Sequence, residues 1–559
     1  MTWLLIIFLP LFFVNWFSLF SYFRTIRTII FQIIRYVLGL FYAWMVYYVY
    51  LADITWSASF SYFTWIVCLL WIFDAVYYYW EESELSRVQI TFLIVSSVGF
   101  VAYLYLAMFY PYTLSKEKYG VAAGISIKTN IQPTNEQHIP VVPWEYAYYK
   151  MEKILGKVKD YSYYDIGTIT IQKIKGKLVW VAPIEYKGFF KWRNAKQVPG
   201  YITMDAEDQR AEAKFIPSPM KYVPSGYFGE NAFRLARNKY PSLVLLEASF
   251  EPDEAGKPVY VITYGRYQKY RHVTEVQGAI LLDPVTGKMK KYTLNQVPAF
   301  VDQVIPSDIA LERNEWFGSL KHGFWNSILG KQDVHTPTSW GSNQEMIAVF
   351  DQHTNMYWAT DHTRSESGAG SMVGYSMLNT RTGKLLYYEG ANSLLNGTAA
   401  LNVAEKSFKE KEWHGSSPAL YYIFGQYTWV IPLLDKNYVL RKIALVNARD
   451  EKVVGFGDNK QDAFNQYKYA ISSDLGSDPT KPGSKATMTE KRSKIKAVYK
   501  TSTQVQFLLE GEDHIFAVEV NNNPYAVFLE VGQKVKIQYI ETNQTIVPVK
   551  SILNQTLGK

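Results

Sequence analysis

Cysteine is almost missing: Cys68 is the single one in a chain of 559 residues. Disulfides are thereby excluded as a framework, and whatever folds must be held by ordinary apolar cores, of which this length supports two or three. Basic blocks are missing too. The net charge of +8 is dispersed, with no Lys/Arg run of the kind that lines a nucleic-acid groove. The chain opens Met1-Thr2-Trp3 with no basic leader, and no small-residue cleavage site follows the first apolar stretch, so a cleaved signal peptide is not expected. The sequence also lacks His-Glu-x-x-His and Gly-x-Ser-x-Gly.

What is present is concentrated at the front. Four apolar stretches occupy residues 3–23, 29–52, 60–80 and 90–112, each about the 20 residues that a helix rising about 1.5 Å per residue needs to cross a hydrocarbon layer. Rings crowd their ends, as with Tyr47, Tyr48 and Tyr50 or Tyr77, Tyr78, Tyr79 and Trp80, where the headgroup region suits them. Residues 1–112 therefore read as a four-helix transmembrane anchor. Arg24 and Arg27 lie between the first two stretches and Arg87 between the last two, while the middle loop has no basic residue. The positive-inside rule puts the arginine loops in the cytoplasm, and hence both termini and the body on the extracytoplasmic side of a cytoplasmic membrane. Arg35 and Asp74 are ionisable groups within spans, which by default points to a proton or ion path. The plainer reading has Arg35 snorkelling to the interface and Asp74 near the end of its span.

Up to residue 112 four arginines face five carboxylates, so the +8 of the chain leaves +9 for the body. That mild excess favours anionic surfaces such as lipid headgroups or cell-wall polymers.

One pattern recurs in the body: Gly200-Tyr-Ile-Thr-Met-Asp205, Gly278-Ala-Ile-Leu-Leu-Asp283, Gly374-Tyr-Ser-Met-Leu-Asn379 and Lys442-Ile-Ala-Leu-Val-Asn447. Each is a short apolar strand running into Asp or Asn. The second and third continue as Asp283-Pro-Val-Thr-Gly287 and Asn379-Thr-Arg-Thr-Gly383, where an Asx side chain and a glycine four positions on predict a tight hairpin. Upstream lie aromatic, β-branched runs at 178–182, 259–263, 356–360 and 427–431, which predict strands. Helical stretches at 145–155, 229–239 and 398–412 precede the units, and another at 461–471 follows. The predicted unit is thus helix, strand and hairpin, an α+β layer. It resembles the PepSY repeat, whose hallmark is a strand ending in Asp-x-x-Thr-Gly. The second copy matches that hallmark, the third matches with Asn for Asp, and the other two lack Thr-Gly. The resemblance implies tandem PepSY-like units, a first pair over 145–310 and a second over 311–471, after a connector at 113–144. It also implies a non-catalytic role, binding or restraining a partner in the cell envelope, sometimes a peptidase.

Residues 472–489 are rich in Ser, Gly, Pro and Asp and read as a linker. From 490 to 559, five short alternating strands suit a small closed barrel of the OB or SH3 kind. Tyr499, Phe507 and Phe516 are too few to form a nucleic-acid stacking platform.

Candidate chemistry is thin. Asp333-Val-His335, Asp351-Gln-His353 and Asp361-His362 bring metal-ligand types together, yet no spacing forces two onto one helical face. His353 and His362 would lie beyond opposite ends of a strand, roughly 30 Å apart at about 3.3 Å per residue. Residues 365–371 read as a flexible loop, not a phosphate cradle. Trp180, Tyr260, Tyr357 and Trp429 could line a groove, but aromatics on half-buried strands are core first. The expectation is a membrane protein of bacterial or phage type: a transmembrane anchor, an α+β body and a small barrel, acting as a non-catalytic envelope scaffold with no cofactor. Its expected partners are the bilayer, an envelope protein or anionic cell-wall polymer, and further copies of itself. The alternatives are a metal-dependent envelope hydrolase using His335, His353 and His362, and a small transporter or channel subunit resting on Arg35 and Asp74.

Overall fold

The computed structural model describes residues 2–16, 26–82, 85–122, 126–128, 131, 136–340, 345–364, 370–391, 393–474, 488–501, 504–520, 523–540, 546–556 and 558. Among these, three helices are long and apolar enough to cross a membrane: Thr28–Val49, Trp56–Trp80 and Arg87–Thr113. The expected first span departs from this. Its described part forms the helix Thr2–Phe8 and then a 3-10 helix, Leu9–Phe13, with Pro10 in its first turn. Proline lacks an N–H and its ring crowds the preceding turn, so the α-helix ends there. Residues 17–23 of that stretch, and Arg24, lie outside the described residues. Arg87 opens the third span on the face away from the body, after a capping box in which Ser86 and Gln89 bond each other's backbone.

Four sheets follow, each preceded by a helix and antiparallel throughout, except that Ser126–Lys128 joins the third in parallel beside Leu385–Tyr388. Trp144–Leu155 precedes the sheet ordered Tyr164–Ile166, Lys177–Tyr186, Val198–Asp205, Lys214–Met220; Ala232–Lys239 precedes Met289–Thr293, Val273–Leu282, Tyr260–Gln268, Val244–Phe250. Ser307–Ser319, a helix without a counterpart in the expected elements, runs through residues 310 and 311 and precedes Leu385–Tyr388, Gly374–Asn379, Met356–Arg364, His335–Pro337. Gly397–Lys406 precedes His414–Gly415, Gln426–Leu434, Leu440–Asn447, Val454–Gly457.

All four copies of the recurring pattern are strands ending in one kind of turn. Asp205, Asp283, Asn379 and Asn447 each accept, on Oδ1, the N–H groups two and three residues on. The next residue's carbonyl, on Ala206, Pro284, Thr380 or Ala448, accepts from the segment leading into the unit's own helix: Val141 and Val142, Lys221 and Tyr222, Val304 and Ile305, and Leu395. One hydrogen-bond pattern therefore ties hairpin to helix four times, including where Thr-Gly is missing. Gly287 and Gly383 take positive φ, +73° and +70°, as the turns require. At Gly278 a Cβ would lie 2.0 Å from the Tyr292 carbonyl oxygen of the closing strand, which explains the glycine that opens the pattern.

The sheets share cores instead of owning one each. The first two pack around Ile202, Tyr260 and Ile280, and the last two around Tyr375, Trp429 and Leu445. Val261, Leu281, Leu378 and Tyr387 join the second sheet to the third, and Ile171, Phe350 and Met356 join the first to the third. Beyond residues 475–487, the part of the expected linker outside the described residues, strands Met488–Lys500, Gln504–Leu509, Ile515–Glu519, Ile546–Asn554 and Lys534–Ile540 close a barrel. Helix Lys460–Asp474 touches it through Tyr469, whose hydroxyl donates to the Ala517 carbonyl at 3.1 Å.

The second sheet and its helix dock on the anchor. Arg271 forks onto Asp53 at 2.8 and 3.0 Å, and Arg237, 4% exposed, donates to the Leu51 carbonyl at 2.9 Å. Arg234 reaches the Tyr48 carbonyl and lies 3.9 Å from that ring's centre, and the Ile54 N–H donates to the Pro241 carbonyl at 2.8 Å. His272 bonds the Leu106 carbonyl through Nε2 at 2.7 Å. Burial would raise the Asp53 carboxyl, but the Arg271 hydrogen bonds hold it below the usual range.

Candidate functional site

Where the sheets converge they leave a cleft in two connected parts. One, of about 480 Å³, is lined by Trp144, Tyr148, Trp180, Met346 and Trp358 together with Glu247, Ser417 and Pro432, so that all four sheet units contribute. Trp180 and Trp358 occupy matching strand positions, opposite Met204 and Leu378, the residues before the turn Asx. Their indole N–H groups donate to the Val142 and Ile305 carbonyls, each just ahead of a helix-opening proline, at 2.8 Å in both cases. The rings are therefore held at their edges and offer half-buried faces to the cleft.

The second part, about 790 Å³, shares Gly167, Thr168, Glu247 and Ser307 with the first and adds Glu185, Ser225, Tyr260 and Asp308. It is acidic. Glu247 sits where Val244–Phe250 slips register against Tyr260–Gln268 between Leu245 and Ala248, and such a bulge re-aims a side chain. Its carboxyl is pushed up by burial and then by Asp308. Glu185 accepts from the Tyr260 hydroxyl, the Ser225 hydroxyl and the Ser225 N–H, and burial outweighs these bonds to raise its pKa. An apolar slot opening onto three carboxylates suits a ligand carrying an aromatic or aliphatic group beside a positive charge. Sequence reasoning missed Glu185, Glu247 and Asp308. Its one available signal was a lone carboxylate inside an otherwise apolar strand, as in Val-Leu-Leu-Glu247-Ala-Ser-Phe.

Of the groove candidates read from sequence, Trp180 lines the slot and Tyr260 the acidic part. Tyr357 does not line either, its neighbour Trp358 taking that place, and Trp429 is fully enclosed core with its indole on the Leu395 carbonyl.

The three histidines do not form one site. His335 and His362 meet, Nδ1 to Nδ1 at 2.9 Å, whereas His353 is exposed on the Asp351–Asn355 turn at the far end of the strand. The pair's protons follow from its neighbours. Asn314 donates Nδ2 to the Ala310 carbonyl, so its Oδ1 must accept both the Ser376 hydroxyl and His362 Nε2–H; His362 Nδ1 is then the acceptor and His335 Nδ1 the donor. Burial keeps both rings neutral, lowering His335 to about 4 and holding His362 well below its ordinary value. The aspartates are also committed: Asp361 to Thr338 and Trp340, Asp351 to its own turn, Asp333 to Lys321 and His322. Among the described residues no three His, Cys, Asp or Glu side chains are grouped to hold a metal.

Arg35 and Asp74 find each other instead of separate interfaces. Arg35 Nη1 donates to both carboxylate oxygens at 2.9 and 2.7 Å, with side-chain exposures of 5% and 10%, while Asn15 donates to Asp74 at 2.9 Å and Arg35 Nη2 to the Leu70 carbonyl. Each charge thereby meets its opposite inside the helix bundle, which lowers the cost of keeping it there.

No protein-family model matches the chain, and no curated protein does. Among solved structures, a crystal structure of an ACO/RPE65 chimera in a monoclinic form is similar at 9% identity and a TM-score of 0.12, over 51% of this chain and 48% of that one, so the match spans about half of that structure's length.

Proposed function

We propose that this is an anchored binding protein of the cell envelope whose body holds a segment of a partner protein in the central cleft, without chemistry of its own. The cleft carries the reading: matched Trp180 and Trp358 walls beside Glu185, Glu247 and Asp308 suit a polypeptide presenting apolar and basic side chains. The acidic lining favours a protein over an anionic cell-wall polymer. The four recurring hairpins support a body of tandem PepSY-like units in two pairs, with no sequence family behind that name. Strand order one-two-three-five-four with a parallel third and fifth strand supports the OB kind of barrel. Arg87, on the face away from the body, supports an extracytoplasmic body in the cytoplasmic membrane.

The test is a photo-crosslinking amino acid at Met346, which lines the slot, in full-length protein in intact cells. A discrete adduct with one envelope protein, lost when Glu247→Lys reverses the lining charge in a folded body, is the expected outcome. Adducts unchanged by that substitution, or no adduct, would sink the reading.

A further inference from the structure

Two groups of exposed aromatic and apolar side chains flank the anchor, and neither is needed for the cleft. The first centres on the short helix Phe189–Ala195, sequence Phe-Phe-Lys-Trp-Arg-Asn-Ala. Phe189 and Trp192 pack on Tyr227 and Phe228, while Phe190 remains 75% and Phe228 54% exposed. Phe228 leads within a few residues into helix Ala232–Lys239, which carries the Arg234 and Arg237 contacts to Tyr48 and Leu51 at the end of the first long span. The second group begins at Phe324, whose ring lies 4.3 Å from that of Tyr112 at the end of the third span and whose N–H donates to Ser115 Oγ. Trp325, Ile328 and Leu329 follow, 72%, 49% and 76% exposed.

Single exposed apolar residues are ordinary on a protein surface, but clusters mark a surface that something covers. The second cluster stacks directly on a span end and the first lies one short helix away from another, so the medium that surrounds those ends is within reach of both. Both mix rings with cations: Lys191, Arg193 and Lys196 in the first, Lys321 and Lys331 beside the second. Aromatic rings with lysine and arginine alongside are the composition of segments lying in the headgroup layer.

We propose that both clusters insert into the bilayer surface around the anchor, so that the body rests on lipid at two points in addition to its Arg271–Asp53 joint. The occupant is the membrane lipid itself. The body is then held at a fixed height and tilt, and the cleft with it.

The test uses full-length protein with Cys68→Ser and one new cysteine at a time, Phe190→Cys, Leu329→Cys, Val285→Cys or Val98→Cys, each carrying an environment-sensitive fluorophore in lipid nanodiscs. Val98 is 63% exposed on the third long span. Val285 is 44% exposed on the turn at the opposite end of strand Val273–Leu282 from His272, about 33 Å away at about 3.3 Å per residue. Lipids bearing a quencher just below the headgroup are expected to remove most of the fluorescence at 98, 190 and 329 and none at 285. Labels at 190 and 329 that behave as at 285 would overturn the proposal. So would labels shielded from aqueous iodide yet unquenched by lipid, because protein then covers the clusters. An unquenched label at 98 would overturn the membrane anchor itself, and with it the proposal.

Discussion

At the residue scale, the His335–His362 pair has a calculable pH signature. The unfolded chain protonates His335 near its ordinary value of 6.5, the folded chain only at about 4. Between those values the unfolded state binds more protons, so stability rises with pH across the window and is lost as pH falls through it, by about 3 kcal/mol from His335 alone. Urea unfolding of the full chain in detergent at pH 7 and pH 4.5 checks this: His335→Gln is expected to flatten the difference by about 2 kcal/mol relative to wild type, since part of the effect lies outside that range. An unchanged pH dependence would mean the ring is already charged or hydrated in the fold. The paired positions were legible as polar residues near strands; their contact was not, because it depends on the register of His335–Pro337 against Met356–Arg364.

At the element scale, the hairpin turns are the units whose sequence and structure agree most closely. Asn379 Oδ1 accepts from the Arg381 N–H, the Thr382 N–H and the Thr382 hydroxyl at 3.1, 2.9 and 3.0 Å. Asn379→Ala is expected to cost about 1–2 kcal/mol in denaturant unfolding, whereas Asn379→Asp, which keeps the accepting oxygen, is expected to be near neutral. Equal losses in both would show that the amide nitrogen matters and that the turn is held differently. Asp205 and Asn447 make the same bonds without Thr-Gly, since the Asx oxygen does the local work and the glycine only eases the return. Two elements went unread for physical reasons. Pro10 interrupts a stretch that hydropathy alone treats as continuous, and Ser307–Ser319 has apolar residues scattered around its girth because it is covered on several sides.

At the scale of the whole molecule, the body is joined to the anchor through Asp53. Removing Arg271 leaves that carboxylate enclosed, at 4% side-chain exposure, without its fork. Arg271→Ala is expected to weaken the joint by about 2 kcal/mol, less than the roughly 3–5 kcal/mol of a wholly buried pair because the guanidinium edge still meets solvent. Hydrogen exchange is the measurement. Faster exchange at residues 50–55 and 234–243, with the barrel unchanged, is expected; uniform or absent change would mean the body is not held there. Because Asp53 is held below its usual range, the same joint is expected to loosen as pH falls through that lowered value, and acidified wild type should imitate the variant.

The amino-acid sequence by itself determined the properties that arise from neighbours along the chain. The apolar helices follow from runs of consecutive residues, the four hairpins from an Asx and what lies two or three positions beyond it, and the barrel from alternation within short strands. The tertiary structure alone decided what arises between distant segments. Glu185, Glu247 and Asp308 share a cleft, Arg35 meets Asp74, and Arg271 meets Asp53 across 218 residues. Each such contact depends on how sheets and helices stack, and that stacking is selected by the sum of many weak apolar contacts that no local pattern encodes.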